Sequence, residues 1–201
     1  EDLREVAPTM FLGVPRIWEK MHASISIKMQ ETGRLRQRLF ARALAVCAPL
    51  AEKPRRDWSP GERLGYALSY WTVLRSLQNF IGLRRAQVAL TGAAPIPPDV
   101  VRFFRTLGVP LIEVYGLTES TGMVTGHLRD RVVIGTVGPV TQGVQYRIAP
   151  QGDDALGGEL QIKGEMVFAG YYKNPEATAQ TIQDGWLHTG DVVREVDGQI
   201  K

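Results

Sequence analysis

The sequence is poor in the residues that would tie a fold together covalently. One cysteine, Cys47, in 201 residues excludes an intramolecular disulfide, fits a reducing compartment and reads most simply as a small buried hydrophobe. No apolar run approaches the roughly 20 residues that span a bilayer. The opening EDLREVAPTM has neither the charged n-region nor the h-region of a secretory signal, so the default location is the cytoplasm. Histidine is scarce as well: His22, His127 and His188 stand apart from Cys47 and from one another, without metal-ligand spacing. Internal repeats and low-complexity tracts are missing. What remains is 44% hydrophobic content, ordinary for a globular chain long enough for one core or two small ones. There is no initiator methionine and REVDGQIK breaks off inside a hairpin pattern, so the sequence reads as a piece of a longer chain.

The net charge of +3 is unevenly spread. Between Lys28 and Arg63 stand nine basic residues against four acidic ones, with Arg34, Arg38 and Arg42 on one helical stripe. Such a stripe is either a solvated helix face or a surface for an anionic partner, nucleic acid or lipid.

Periodicity makes the first third helical. Ile17, Met21 and Ile25 recur every four residues, as do Leu35, Leu39 and Ala43, continuing to Val46 and Leu50. SPGE restarts the pattern, with Ser59 as N-cap, Pro60 at the first helical position and Glu62 closing a capping box. Leu64, Leu68, Trp71, Leu74 and Ile81 are then expected to face the core. AQVALTG and LIEVYG read as buried strands around a helix in PIPPDVVRFFRTLGVP, the βαβ signature of a parallel sheet. From about Gly135 the pattern changes to short alternating runs, VQYRIA, GELQIKG, VVREV and QIK, bounded by turns such as QGDD and VDG and interrupted by one helix in NPEATAQTI. The expectation is an α/β chain: helices plus part of a parallel βαβ sheet over 1–134, then a small antiparallel sheet or barrel over 135–201.

Ligands of open parallel sheets bind at the carboxyl ends of the strands. Two such ends, LTGAAP and EVYGLTES, are small or glycine-rich where backbone must approach a ligand. Tyr115 offers a π-face for a nucleobase, and Gly92, Ala93 and Ala94 leave room at the opposite edge. The Thr118 hydroxyl suits a phosphate oxygen, and Glu119 is the kind of carboxylate that holds Mg²⁺ beside phosphates. The plain alternative is that Thr118 caps a short helix and Glu119 is its first-turn acid. In DGWLHTGDVV, Asp191 could accept both hydroxyls of a ribose, or could be a turn aspartate in a hairpin.

The ordered series LTGAAPIPPDV, VYGLTES, GELQIKGEMVFAGYYKNPEAT and GWLHTGD resembles the AMP-forming acyl-CoA synthetases, and the upstream VPRIWEKM resembles their long-chain fatty-acid branch. The resemblance implies that Tyr115 stacks on adenine in a pocket lined by Gly92, Ala93, Glu113, Val114 and Gly116. It implies also that Thr118 contacts the α-phosphate, Glu119 holds Mg²⁺, Asp191 binds the ribose, and Gly122 and Met123 border the acyl chain. His188 would approach the nucleotide from its turn. The implied cofactors are ATP, Mg²⁺ and coenzyme A, and the implied substrate is a long-chain fatty acid.

Two elements of that family have no counterpart: the Gly/Ser/Thr-rich, lysine-bearing loop for the β- and γ-phosphates, and the arginine-containing hinge with the C-terminal domain beyond it. These 201 residues are therefore expected to be inactive alone. Transfer of the acyl group to a carrier protein, and a non-catalytic nucleotide- or acyl-adenylate-binding module, remain as alternatives. No nucleic-acid partner is expected. Peripheral contact with a membrane through the basic helices, and self-association through apolar surface left uncovered, are the partner expectations.

Overall fold

A computed structural model describes residues 2–128, 131–150 and 157–201; the QGDD turn lies outside them. The chain divides into two compact units, one of Glu1–Glu113 with Leu128–Ile134 and one of Val114–His127 with Gly135–Lys201.

The first unit begins with α1 (Asp2–Val6), β1 (Met10–Leu12), α2 (Pro15–Gln30) and α3 (Arg34–Cys47). Pro15 sits at the first position of α2, where its missing N–H costs nothing. Trp18 anchors the core: its indole donates to the Gly13 carbonyl at 3.0 Å, and its ring stands edge-on to Phe11 and Phe104. The expected capping box opens α4 (Pro60–Ser69), with Glu62 N donating to Ser59 Oγ at 3.3 Å and Ser59 N to Glu62 Oε2 at 2.7 Å. A 2.8 Å bond from Lys53 Nζ first, then the bonds with Ser59, hold the Glu62 carboxyl down to about pKa 2.

Apolar periodicity misleads in this layer. Leu74 and Ile81 are buried as expected, but Leu64, Leu68 and Trp71 face outward. Between α4 and α5 (Arg75–Phe80) the helix widens into a π turn at Tyr70–Leu74, whose extra residue rotates the side-chain phase by roughly 100°. Upstream of that turn the inward side carries Tyr66 and Ser69 instead. In α3, likewise, Ala43 and Cys47 are buried, while Leu35, Leu39 and Val46 are exposed. Leu50, just beyond, is buried.

The βαβ element forms as read. In this unit β2 (Val88–Thr91) pairs parallel with β1, and residues 111–113 of β3 (Leu111–Leu117) pair parallel with β2, Thr91 opposite Glu113. The crossover is α6 (Pro98–Thr106), which buries Val100, Val101 and Phe104. Gly108 ends it at φ +86°, the left-handed position where glycine carries no Cβ penalty.

In the second unit, the rest of β3 pairs antiparallel with β4 (Gly122–Gly126), slipping register between Tyr115 and Gly116. Next come β5 (Gln145–Pro150) and β6 (Gly158–Lys163), then α7 (Pro175–Thr181), capped by Asn174 Oδ1 on Ala177 N. Strands β7 (Ile182–Gln183) and β8 (Trp186–Val193) complete an antiparallel sheet of order β5-β6-β8-β7. A hairpin, β9 (Glu195–Val196) with β10 (Gln199–Ile200), turns at Asp197 and Gly198, both at positive φ as a type I′ turn requires. Leu160, Ile162, Leu187 and Ile200 fill the core of this unit. Among the described residues no helix is long and apolar enough to cross a membrane.

Candidate nucleotide site

The residues expected at a nucleotide site fall into two groups. In the first unit, Gly92, Ala93 and Ala94 follow β2 directly, and Ala93 is held at φ +68°. A left-handed alanine costs roughly 1–2 kcal/mol, strain of the kind that collects at functional turns. Just before them the Thr91 hydroxyl is fully buried and has no hydrogen-bond partner among the described residues. Sequence reasoning passed over Thr91; its place in LTGAAP was the available signal. Burial pushes the Glu113 carboxyl above its usual range, against a smaller pull from a hydrogen bond with the Ile96 backbone.

In the second unit the TES triplet forms a single 3-10 turn after β3. Ser120 closes it: Leu117 N donates to its Oγ at 3.0 Å, and that hydroxyl reaches the Leu117 and Gly122 carbonyls. Thr118 therefore does not act as a cap; its side chain is exposed at the head of the turn. Gly116 has a packing reason, since a Cβ there would lie 1.8 Å from the Gly122 carbonyl oxygen. Val114 pairs with Gly126 across the β3-β4 ladder, and Gly122 and Met123 open β4, with Met123 half exposed.

Tyr115 and Asp191 come together. The phenol donates to Asp191 Oδ2 at 2.6 Å, and burial first, then this bond, raises the Tyr115 pKa well above its ordinary value. Asp191 is not in a hairpin turn. It lies within β8, where Glu159 pairs with Val192 but Gln161 pairs with His188, so Thr189, Gly190 and Asp191 bulge opposite Leu160. A bulge re-aims the side chains it carries. Gly190 takes φ +73° there, its N–H donates to Glu159 Oε1 at 3.1 Å, and Thr189 Oγ1 donates to the Leu160 carbonyl at 2.6 Å.

His188 is in the strand rather than a turn, and its Nδ1 lies 2.9 Å from Glu159 Oε2. Partial burial works against ionisation of Glu159, but hydrogen bonds from Gln161, Gly190 and His188 outweigh it and lower the carboxyl's pKa. His127 is buried beside Thr136, and His22 packs edge-on to Phe103.

Glu119 has a partner the sequence did not single out. Tyr171, in the GYYKNP motif, donates from its hydroxyl to Glu119 Oε1 at 2.7 Å. The turn is tied to the same segment twice more: Phe168 N donates to the Glu119 carbonyl at 2.8 Å, and Thr121 Oγ1 to the Met166 carbonyl at 3.0 Å. Among the described residues no group of three His, Cys, Asp or Glu side chains could hold a metal unaided. One carboxylate nonetheless suits Mg²⁺, which binds through one or two carboxylates plus substrate phosphates. A cavity of ≈ 210 Å³ opens elsewhere in the first unit, among Cys47, Trp58, Tyr66 and Arg105, and none of the candidate residues lines it.

The structure thus holds a parallel βαβ segment, strand ends rich in small residues and a tyrosine hydrogen-bonded to an aspartate. The chain belongs to the AMP-binding enzyme family, whose match covers residues 1–172. It is 37% identical over 205 residues to the putative fatty-acid-CoA ligase fadD11 of Mycobacterium tuberculosis, covering 99% of this chain and 35% of that protein. It is 36% identical over 196 residues to the long-chain-fatty-acid-CoA ligase ACSBG2 of Rattus norvegicus, covering 96% and 29%. The chain thus spans about a third of the length of such relatives. Among solved structures, a malonyl-CoA ligase in ternary product complex with methylmalonyl-CoA and AMP superposes with TM-score 0.59 at 25% identity, covering 99% of this chain and 34% of that one. The adenylation domain of a carboxylate reductase from Mycobacterium chelonae gives TM-score 0.59 at 28% identity, covering 100% and 27%.

Proposed function

We propose that the protein carrying these residues is a long-chain fatty-acid-CoA ligase. The fatty carboxylate attacks the α-phosphorus of ATP, the bond to pyrophosphate breaks, and an acyl adenylate forms. The thiol of coenzyme A then attacks the acyl carbonyl and AMP leaves. The observation that carries this reading is the 2.6 Å bond between Tyr115 and Asp191, which brings a ring for adenine and a carboxylate for ribose together in the unit that also bears Thr118 and Glu119.

The roles follow from the donor types. Thr118 offers its exposed hydroxyl to an α-phosphate oxygen, and one Asp191 carboxylate oxygen remains to accept from a ribose hydroxyl. Glu119, steadied through Oε1, would hold Mg²⁺, which when bound neutralises charge between phosphate and carboxylate. Catalysis in such a site is mainly positioning of two anions. The dependence on ATP and coenzyme A, with the unpaired thiol of Cys47, supports a cytoplasmic location. The 201 residues by themselves are expected to make no acyl-CoA, because the lysine-bearing phosphate loop of the family has no counterpart in them.

The test is calorimetric binding of a non-hydrolysable palmitoyl-adenylate analogue. Asp191→Ala removes a charged hydrogen bond of about 1.5–3 kcal/mol, so affinity is expected to fall roughly 10- to 150-fold. Affinity unchanged from the parent in both Asp191→Ala and Tyr115→Ala would sink the reading.

A further inference from the structure

The layer formed by α3 and α4 carries a surface that the adenylation reading does not use. Leu35 is 71% exposed, Leu64 62%, Leu68 60% and Trp71 66%, with Leu39 and Val46 beside them. The two helices lie close, for Val46 Cγ1 is 3.0 Å from the place a Cβ on Gly65 would take. These side chains are thus exposed on neighbouring helical segments of the first unit. A stretch of large exposed apolar residues on this scale marks an interaction surface.

Its charge selects the partner. On α3 the positions of Arg34, Arg38 and Arg42 form a stripe next to that of Leu35, Leu39 and Val46, and none of these guanidiniums is in an ion pair among the described residues. Arg75 lies over the Trp71 ring at 4.7 Å. Helix α3 has no acidic residue, and the one acid of α4, Glu62, is bound to Lys53 and Ser59. A second copy of this face would oppose its arginines with like charge. An arginine row beside leucines and a tryptophan is the pattern of a helix pair lying in a lipid interface, cations at the headgroups and apolar side chains below them.

We infer that the α3-α4 face docks onto an anionic lipid surface. This stands independently of the chemistry at Tyr115 and Asp191.

Co-sedimentation with phosphatidylcholine vesicles, with and without phosphatidylserine, tests it at low and high salt. Binding is expected only with phosphatidylserine and is weakened by salt. The triple change Arg34→Gln, Arg38→Gln, Arg42→Gln should lower the partition coefficient on the order of a hundredfold, and the corresponding triple Lys change should retain it. Brominated lipid should quench a fluorescence component that Trp71→Phe removes. Binding that ignores the Gln changes, or no binding, overturns the inference. So does shielding of Trp71 from an aqueous quencher without vesicles, whether by another segment of the protein or, where sedimentation velocity shows a dimer, by a second copy.

Discussion

In β6 the apolar residues Leu160 and Ile162 are fully buried, while in α4 Leu64 and Leu68 stand more than half exposed. Both stretches carry a regular apolar period, and only one of them lies against a core. The difference is in what fixes the phase. A strand's two faces are set by pairing on both sides: β6 is bonded to β5 and β8, and a slip by one residue would turn every side chain over. A helix takes its inward face from tertiary packing, and α4 turns Tyr66 and Ser69 inward before the π turn resets the count. Hydrophobic spacing therefore gives the element type in both places and the buried face in only one.

One substitution in each region should give the largest difference. Leu160→Ala should destabilise by about 2–5 kcal/mol, because it removes buried methyls and leaves a cavity. The same change at Leu64 should stay within about 0.5 kcal/mol, as surface positions do. Urea unfolding of both variants is the check, and equal losses would mean that the α4 face is covered in solution.

A second test lies in the bulge of β8. Glu159→Gln weakens charged hydrogen bonds to Gly190 N and His188 and should cost about 1.5–3 kcal/mol at neutral pH. Glu159 titrates below its unfolded value of 4.5, so its stabilisation is present above that pH and is lost as pH falls through the lower folded pKa. The parent should therefore lose stability from about pH 4.5 downward in denaturant titrations, and Glu159→Gln should show less of that dependence.

The smallest effect belongs to the turn after β2. Ala93→Gly relieves a left-handed alanine at roughly 1–2 kcal/mol against roughly 0.5–1 kcal/mol of lost backbone entropy, so it should stabilise by on the order of 0.5 kcal/mol. A thermal melt is the check, and a lower melting temperature than the parent's would contradict it.

How far the site was legible depended on what kind of contact makes it. Tyr115, Thr118, Glu119 and Asp191 were singled out because each stands beside glycine or at a strand end in an ordered motif. Tyr171 was inside a quoted motif, yet nothing in the string says that its hydroxyl lies 2.7 Å from Glu119, 52 positions earlier. Glu159 was hidden for the same reason: it acts on Gly190 and His188 across a ladder whose slip in register no single strand announces. Thr118, open to two readings in the string, is freed from the capping role because Ser120 closes the turn.

The amino-acid string carries what local chemistry dictates: the capping box at Ser59 and Glu62, the βαβ order, and strands β5 and β6. Backbone propensity and side-chain donors act over a few positions, so a linear reading reaches them. That reading takes VVREV as one strand and LHTGD as a turn, where the structure has β8 running from Trp186 to Val193 and β9 starting at Glu195. Packing and register decide which face of α4 points inward, that Asp191 sits on a bulge rather than in a turn, and that Tyr115 holds it. Those depend on contacts between residues far apart in the chain, whose geometry is set by packing and register rather than by any residue's own preference.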